Sequence, residues 1–251
     1  MNNQSTLWIE RCITALRGRF KHIKDPKTFS RDCKVSLTDC LMACFGVFSL
    51  KWPSLLQYEI NLKDSNLHKN FCRLYKIDQV PSDTYMRERL DQLSTQDLAP
   101  AYKKIFSMLQ RSKALEPYRY LDGYYIVSID GTGHFSSDKV HCKNCCKKEH
   151  RNGKITYYHQ MLAAVMVHPE LKEVVPFCPE PIQKGDGDTK NDCERNAAKR
   201  LICNLRREHP HLKVMVVEDG LASNGPHIRE LEGANMRYVL GVKERGPSLS
   251  F

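Results

Sequence analysis

Two aspartates close two apolar runs. Asp130 ends Tyr124-Tyr125-Ile126-Val127-Ser128-Ile129-Asp130, and Asp219 ends Val214-Met215-Val216-Val217-Glu218-Asp219. Each run predicts a buried strand whose carboxylate stands where the strand gives way to glycine-containing sequence. Two carboxylates aimed at one point from neighbouring strands make a hard, oxygen-rich site suited to Mg²⁺ or Mn²⁺. Such a site supports in-line displacement at phosphorus: one metal activates a water or a 3′-hydroxyl, and another stabilises the leaving oxygen. Asp-Gly is also a common turn pair, so each aspartate taken alone has a purely backbone explanation.

Asp192 and Glu194 open the helix expected over 192–208. Acids at a helix start favour the macrodipole. Glu194 is also placed to add a third carboxylate to the strand pair. Asp186 and Asp188, in the preceding glycine-containing loop, read as solvated. Cys142-Lys143-Asn144-Cys145-Cys146, with His150 and His159 following, has C-x2-C spacing. The expected zinc ligands are Cys142, Cys145, Cys146 and His150. A second well-spaced cysteine pair is missing, and reduced thiols in a basic loop are the alternative. Lys143, Lys147, Lys148, Arg151 and Lys154 make this the densest basic patch, expected to contact DNA phosphates in a salt-dependent way. Lys199, Arg200, Arg206 and Arg207 offer a second basic surface, with a solvated helix face as the plainer reading.

The elements that must position these residues divide into two regions. Residues 1–120 read as a helical N-terminal region with possible DNA-binding capacity. Amphipathic spacing of Leu7, Trp8, Ile9, Cys12, Ile13 and Leu16 marks its first helix. Ser36 precedes an apolar helix ended by Trp52-Pro53, and Ser82 caps a helix through Leu90. A further helix covers 100–114. Residues 121–251 read as the catalytic core. Strands are expected over 124–130, 156–167, 173–177, 213–218 and 237–242, with helices over 192–208 and 226–231. Three consecutive strands, then helix, strand, helix and strand, predict an α/β fold with a mixed sheet of ribonuclease-H type. The segment 139–154 reads as a loop.

The 251 residues suffice for one large domain or two modest ones. A hydrophobic content of 41% and charged content of 27% are ordinary for a globular chain. No apolar run reaches the roughly 18 residues of a membrane helix, and the start lacks a secretory pattern. A cytoplasmic location without membrane association is therefore expected, and the eleven cysteines are read as reduced, mostly core thiols. A net charge of +10 favours a polyanionic partner, with nucleic acid the commonest.

Several motifs together resemble bacterial insertion-sequence transposases of the DDE class. They are Ser128-Ile129-Asp130-Gly131-Thr132-Gly133, Thr156-Tyr157-Tyr158-His159-Gln160, the run from Lys190 to Arg200, and Val217-Glu218-Asp219-Gly220-Leu221-Ala222-Ser223-Asn224. Ser36-Leu37-Thr38-Asp39 and Val80-Pro81-Ser82-Asp83-Thr84-Tyr85-Met86 extend the likeness into the N-terminal half. The resemblance implies a ribonuclease-H-like core, Mg²⁺ or Mn²⁺, and cut-and-paste chemistry on double-stranded transposon ends, with a homo-oligomer on DNA as a further partner. It makes Asp130 and Asp219 the first two acids of the triad, and the third a Glu on a later helix. Glu244 closes the last strand and substitutes poorly for it. The tail from Arg245 to Phe251 reads as the product of a frameshift or early stop. The expectation is thus a truncated transposase with impaired strand transfer. The alternatives are a non-catalytic DNA-binding regulator of the full-length enzyme, and an active nuclease in which Asp130, Glu194 and Asp219 suffice.

Overall fold

A computed structural model describes residues 3–26, 35–186 and 190–242, without the side chains of 3–6 and 190–192. Cys33, Asp188, the Asp192 side chain and the tail that carries Glu244 lie outside the described residues. The chain forms two compact units, Met1–Met108 and Leu109–Phe251.

The first unit is helical. Its elements are α1 (Asn3–Phe20), α2 (Leu37–Ser49), α3 (Leu55–Asn61), α4 (Ser65–Tyr75), α5 (Asp83–Leu90) and the start of α6 (Ala99–Arg111). Short polar side chains begin most of them by accepting otherwise unpaired N–H groups. Ser36 accepts from Asp39, Ser54 from Gln57, Asp64 from Asn66 and Leu67, and Ser82 from Tyr85. The core is rich in rings: Trp52 stacks on Phe71 at 5.3 Å, and Tyr58 meets the same ring edge-on at 5.9 Å. Buried Asp39 accepts from the backbone N–H groups of Asp78 and Gln79 at 3.2 and 3.3 Å, with Arg17 at 3.5 Å. A buried carboxylate needs such partners, so Asp39 of the Ser36-Leu37-Thr38-Asp39 motif joins α2 to the chain that leads into α5.

The second unit is a mixed α/β layer structure built on β1 (Arg119–Tyr120), β2 (Tyr124–Ser137), β3 (Cys146–Glu149), β4 (Ile155–His168), β5 (Leu171–Pro176), β6 (Glu180–Ile182), α7 (Lys190–Glu208), β7 (Val214–Glu218), α8 (Gly225–Gly233) and β8 (Arg237–Leu240). The main path of the eight-stranded sheet runs β3-β4-β2-β7-β8; β1 joins β2, and β5 and β6 join β4. β2 is antiparallel to β4 and parallel to β7, which is parallel to β8. Parallel neighbours need crossovers, which α7 and α8 supply. On α7, Cys193, Ala197, Ala198, Leu201, Ile202 and Leu205 are buried, the stripe expected of a helix laid on a sheet.

Two expectations need correction. The strand through Asp130 does not end there: Gly131, Thr132 and Gly133 stay in β2, paired with Leu162, Met161 and Gln160, and the register shifts only between Gly133 and Phe135. The long partner β4 carries the pairing through the glycines, so no Asp-Gly turn forms at Asp130. The 139–154 segment is not all loop, since it contains β3, which pairs Cys146 with Tyr158 and Glu149 with Ile155. Its lysines and cysteines hide the strand because their type does not signal burial. β1 and β6, of two and three residues, were also absent from the sequence reading. Among the described residues no helix is long and apolar enough to cross a membrane.

Candidate functional site

Parallel pairing of β2 and β7 brings the two aspartates together. Ser128 is registered with Val217, so the chain carries Asp130 and Asp219 to the same end of the sheet, where both line one cleft. Asp130 sits within β2 and Asp219 just beyond β7. The Asp219 turn is fixed from behind: Gly241 N donates to Glu218 O at 3.0 Å, and a Cβ on Gly241 would lie 3.1 Å from Gly220 N. A side chain there would press on the Gly220 backbone. The Asp219 carboxylate accepts from Leu221 N at 2.9 Å, and the Asp130 carboxylate from Gly131 N at 2.8 Å.

Glu194 enters from α7. It borders Gly131 so closely that a Cβ on Gly131 would be 3.2 Å from its Oε1. Asp130, Glu194 and Asp219 all line one cleft with about 80 Å³ of water-accessible space, together with Glu218 and His227. That volume holds several waters. Ala198, one helical turn beyond Glu194, also lines the cleft, and its small side chain keeps the space open.

Glu218 and His227 are buried beside the acids, with His227 Nε2 and Glu218 Oε2 at 2.6 Å. His227 stands in the first turn of α8, where its N–H donates to the capping Asn224 Oδ1 at 3.1 Å. The sequence reading passed over this pair. The available signal was Glu218 ending an apolar strand, followed nine residues later by a histidine just inside a capped helix.

The carboxylates form an open arrangement. Among the described residues, the ligand-type side chains whose donor atoms all lie within 4.8 Å of one another are Cys142, Cys145 and His159. Open spacing suits Mg²⁺, which keeps several waters and takes one or two carboxylates plus substrate phosphate oxygens. In chemical type the donors are hard oxygens, the kind that Mg²⁺ and Mn²⁺ take.

The cysteine segment assembles differently from expectation. Cys142 and Cys145 converge on His159 of β4, each sulfur 3.3 Å from its Nε2. Cys146 and His150 are elsewhere, which corrects the expected ligand set. Cys146 begins β3 opposite Tyr158. Adjacent strand residues face opposite ways, so Cys146 shares a face with Tyr158 while Cys145 meets His159 on the other. The Cys146 thiol points to Ile182 O at 3.9 Å, and burial pushes its pKa up. His150 instead pairs with Thr156 Oγ1 at 2.9 Å. The backbone N–H of Asn144 holds the Cys142 thiol below its usual pKa range. Burial, and then the neighbouring His159, lowers the pKa of His134, whose ring stacks on that of His159 at 5.8 Å.

The basic candidates also separate. Lys143, Lys147, Lys148, Arg151 and Lys154 are all exposed. Lys147 and Lys148 are consecutive on β3 and so project to opposite faces. Lys147 lies 5.7 Å from the Tyr157 ring centroid. Lys154 is already paired with Asp138. On α7, Arg200 and Arg206 serve the fold rather than the surface. Arg200 donates to Glu180 Oε1 at 2.6 Å and to both oxygens of Asp186 at 2.6 and 2.9 Å. Asp186 is therefore partly buried and paired, not solvated as expected. Arg206 donates to the carbonyls of Leu212 and Ala234 at 3.0 and 2.7 Å, tying α7 to the ends of its neighbours.

No family model matches the chain. No curated protein matches it either. Among solved structures it is similar to a piggyBac transposase synaptic complex with hairpin DNA, determined by cryo-EM, at TM-score 0.36 and 13% identity, covering 98% of this chain and 54% of that one. The Mos1 mariner paired end complex with Mn gives TM-score 0.24 and 14% identity, covering 90% of this chain and 65% of that one. A pre-cleavage Mos1 transpososome gives 0.23 and 13%, covering 92% and 77%. The chain spans about half the length of the piggyBac chain, 54% of it, and at 13% identity the likeness is remote.

Proposed function

We propose that the second unit is a ribonuclease-H-like nuclease core of an insertion-sequence transposase of the DDE class, acting on double-stranded DNA with Mg²⁺ or Mn²⁺. The observation that carries this reading is the convergence of Asp130, Glu194 and Asp219 on one cleft from β2, α7 and the end of β7. The sheet order supports it, with the two aspartates on adjacent parallel strands and an antiparallel β4 on the far side of β2. The DDE-type motifs fall on these same elements.

Asp130 and Asp219 would hold the divalent ion, which when bound supplies charge stabilisation at the scissile phosphate and a more acidic water. The remaining work belongs to the chain. Backbone N–H groups of Gly131 and Leu221 orient the two aspartates. Glu194 stands beside Gly131, placed to bind the same metal site or to accept a proton from the attacking water. In this reading Glu194 takes the place of the third acid that the family carries on a later helix. Exposed Lys143, Lys147, Lys148 and Arg151 would meet DNA phosphates, and the charge of +10 favours such a partner.

The test is nicking of a plasmid carrying the DNA that flanks the gene, with Mg²⁺ or Mn²⁺, by the wild type and by Asp130→Ala, Asp219→Ala and Glu194→Gln. Metal-dependent nicking that drops by about 100-fold or more in each variant is expected, because each removes a carboxylate placed to hold the divalent ion or to take the proton of the attacking water. Nicking unchanged in Asp130→Ala and Asp219→Ala would remove the proposal. Absent nicking with retained, salt-dependent DNA binding would instead favour the non-catalytic DNA-binding role.

A further inference from the structure

Cys142 and Cys145 lie in the connection between β2 and β3, and His159 stands on β4. Their donor atoms form a small triangle. The two sulfurs are 3.7 Å apart, and each is 3.3 Å from His159 Nε2. Tetrahedral zinc, with Zn–S of about 2.3 Å and Zn–N of about 2.0–2.1 Å, sets S···S near about 3.8 Å and S···N near about 3.5 Å. The triangle is already within a few tenths of an ångström of those spacings. The turn that carries the cysteines is closed by its own backbone, with Cys145 N donating to Cys142 O at 3.3 Å and Cys142 N to Cys145 Sγ at 3.2 Å. A backbone N–H directed at a sulfur favours the thiolate form that binds metal. Cys145 is buried and Cys142 exposed, so the triangle opens to solvent on one side.

We propose that Cys142, Cys145 and His159 bind one Zn²⁺ per chain, with a water in the fourth position. The site is distinct from the carboxylate cleft in donors and in chemistry. Soft thiolates with imidazole select zinc, whereas the carboxylates select hard ions. The metal would act as a local clamp, its open fourth position unlike the four protein ligands of a closed structural site. It would pin the connection between β2 and β3, which carries Lys139 and Lys143, onto β4. That segment also holds to the sheet through short β3, the Ser137 hydroxyl, the Asp138 contacts with Thr156 and Lys154, and the His141 ring stacked on Tyr157 at 4.2 Å.

The test uses the whole chain, purified without chelator and measured for metal by mass spectrometry. About one zinc per chain is expected in the wild type and in Cys146→Ser. Less than about a tenth of an equivalent is expected in Cys142→Ser/Cys145→Ser and in His159→Ala. Cobalt exchanged into the wild type should give the visible bands of a tetrahedral ion and the thiolate-to-cobalt charge-transfer absorption, the second of which a carboxylate site cannot produce. That wild-type spectrum keeps the test decisive even if a variant does not fold. Folded wild type that lacks both zinc and cobalt bands would overturn the proposal. Zinc lost in Cys146→Ser but retained in His159→Ala would overturn the ligand set.

Discussion

The Glu194 carboxylate abuts the backbone of Gly131, so that a Cβ there would lie 3.2 Å from Glu194 Oε1. Gly131 follows Asp130 in the same strand. The bare backbone at 131 therefore gives the helix acid room beside the strand acid.

Gly131→Ala should displace Glu194 while sparing the fold. Gly131 lies in a strand and its φ is not positive, so alanine fits the backbone and removes some unfolded-state entropy. We expect stability within about 1 kcal/mol of wild type and nicking reduced, by no more than about tenfold, because the Glu194 carboxylate, at the end of its side chain, need give by only a few tenths of an ångström. Paired thermal melts and nicking rates check both halves. Undiminished nicking by the folded variant would show that the position of Glu194 is immaterial.

Glu218→Ala should destabilise the second unit. It strips buried His227 of its partner at 2.6 Å. A buried polar group left unsatisfied costs about 1–3 kcal/mol. Urea unfolding should show a lower midpoint with unchanged slope. Because Glu218 directly precedes Asp219, nicking should fall in the same variant even where it remains fully folded.

Arg200→Ala should destabilise through Glu180 and Asp186. Removing one partner of a buried pair costs about 3–5 kcal/mol. The Arg200 side chain is 36% exposed, and solvent screening lowers the expectation to about 2 kcal/mol. The pair also sets an acid limb. Burial raises the Asp186 pKa, but hydrogen bonds from Arg200 and from the Gln183 N–H outweigh it, and the net shift is downward. A depressed carboxylate stabilises the fold above its unfolded pKa, about 3.9 for aspartate. That contribution is lost as pH falls through the lower folded value. Melting temperature should therefore drop below about pH 4, and less steeply in Asp186→Asn than in wild type.

Replacing Lys143, Lys147, Lys148 and Arg151 together by alanine should flatten the salt dependence of DNA binding. Each phosphate contact contributes about 0.9 to the slope of log K against log salt on duplex DNA, so the slope should shrink by up to about 3.6. Lys154→Ala should do less, because Lys154 is already held by Asp138. Gel shifts across a salt series measure this, and an unchanged slope would remove the patch from the DNA interface.

Much of the architecture was legible in sequence because its signals are local. The apolar runs before Asp130 and Asp219 announce strands, Ser36 and Ser82 announce helix starts, and the buried stripe of α7 has helical spacing. These depend on residues within a few positions of one another. What reads otherwise in the structure depends on partners far along the chain. β2 continues past Asp130 because β4 supplies hydrogen bonds to its glycines, which no local pattern records. His159 replaces Cys146 and His150 beside the Cys142–Cys145 pair because the β3–β4 register decides which face each residue takes, and one step along a strand reverses that face. Asp186 and Arg200 look like solvated charges in isolation and become a partly buried pair only when α7 lies on the sheet. The sequence by itself determined the elements and the chemical types of the candidate donors. Only the tertiary structure decided which donors meet, because register and helix packing set the distances among side chains, and sequence spacing does not.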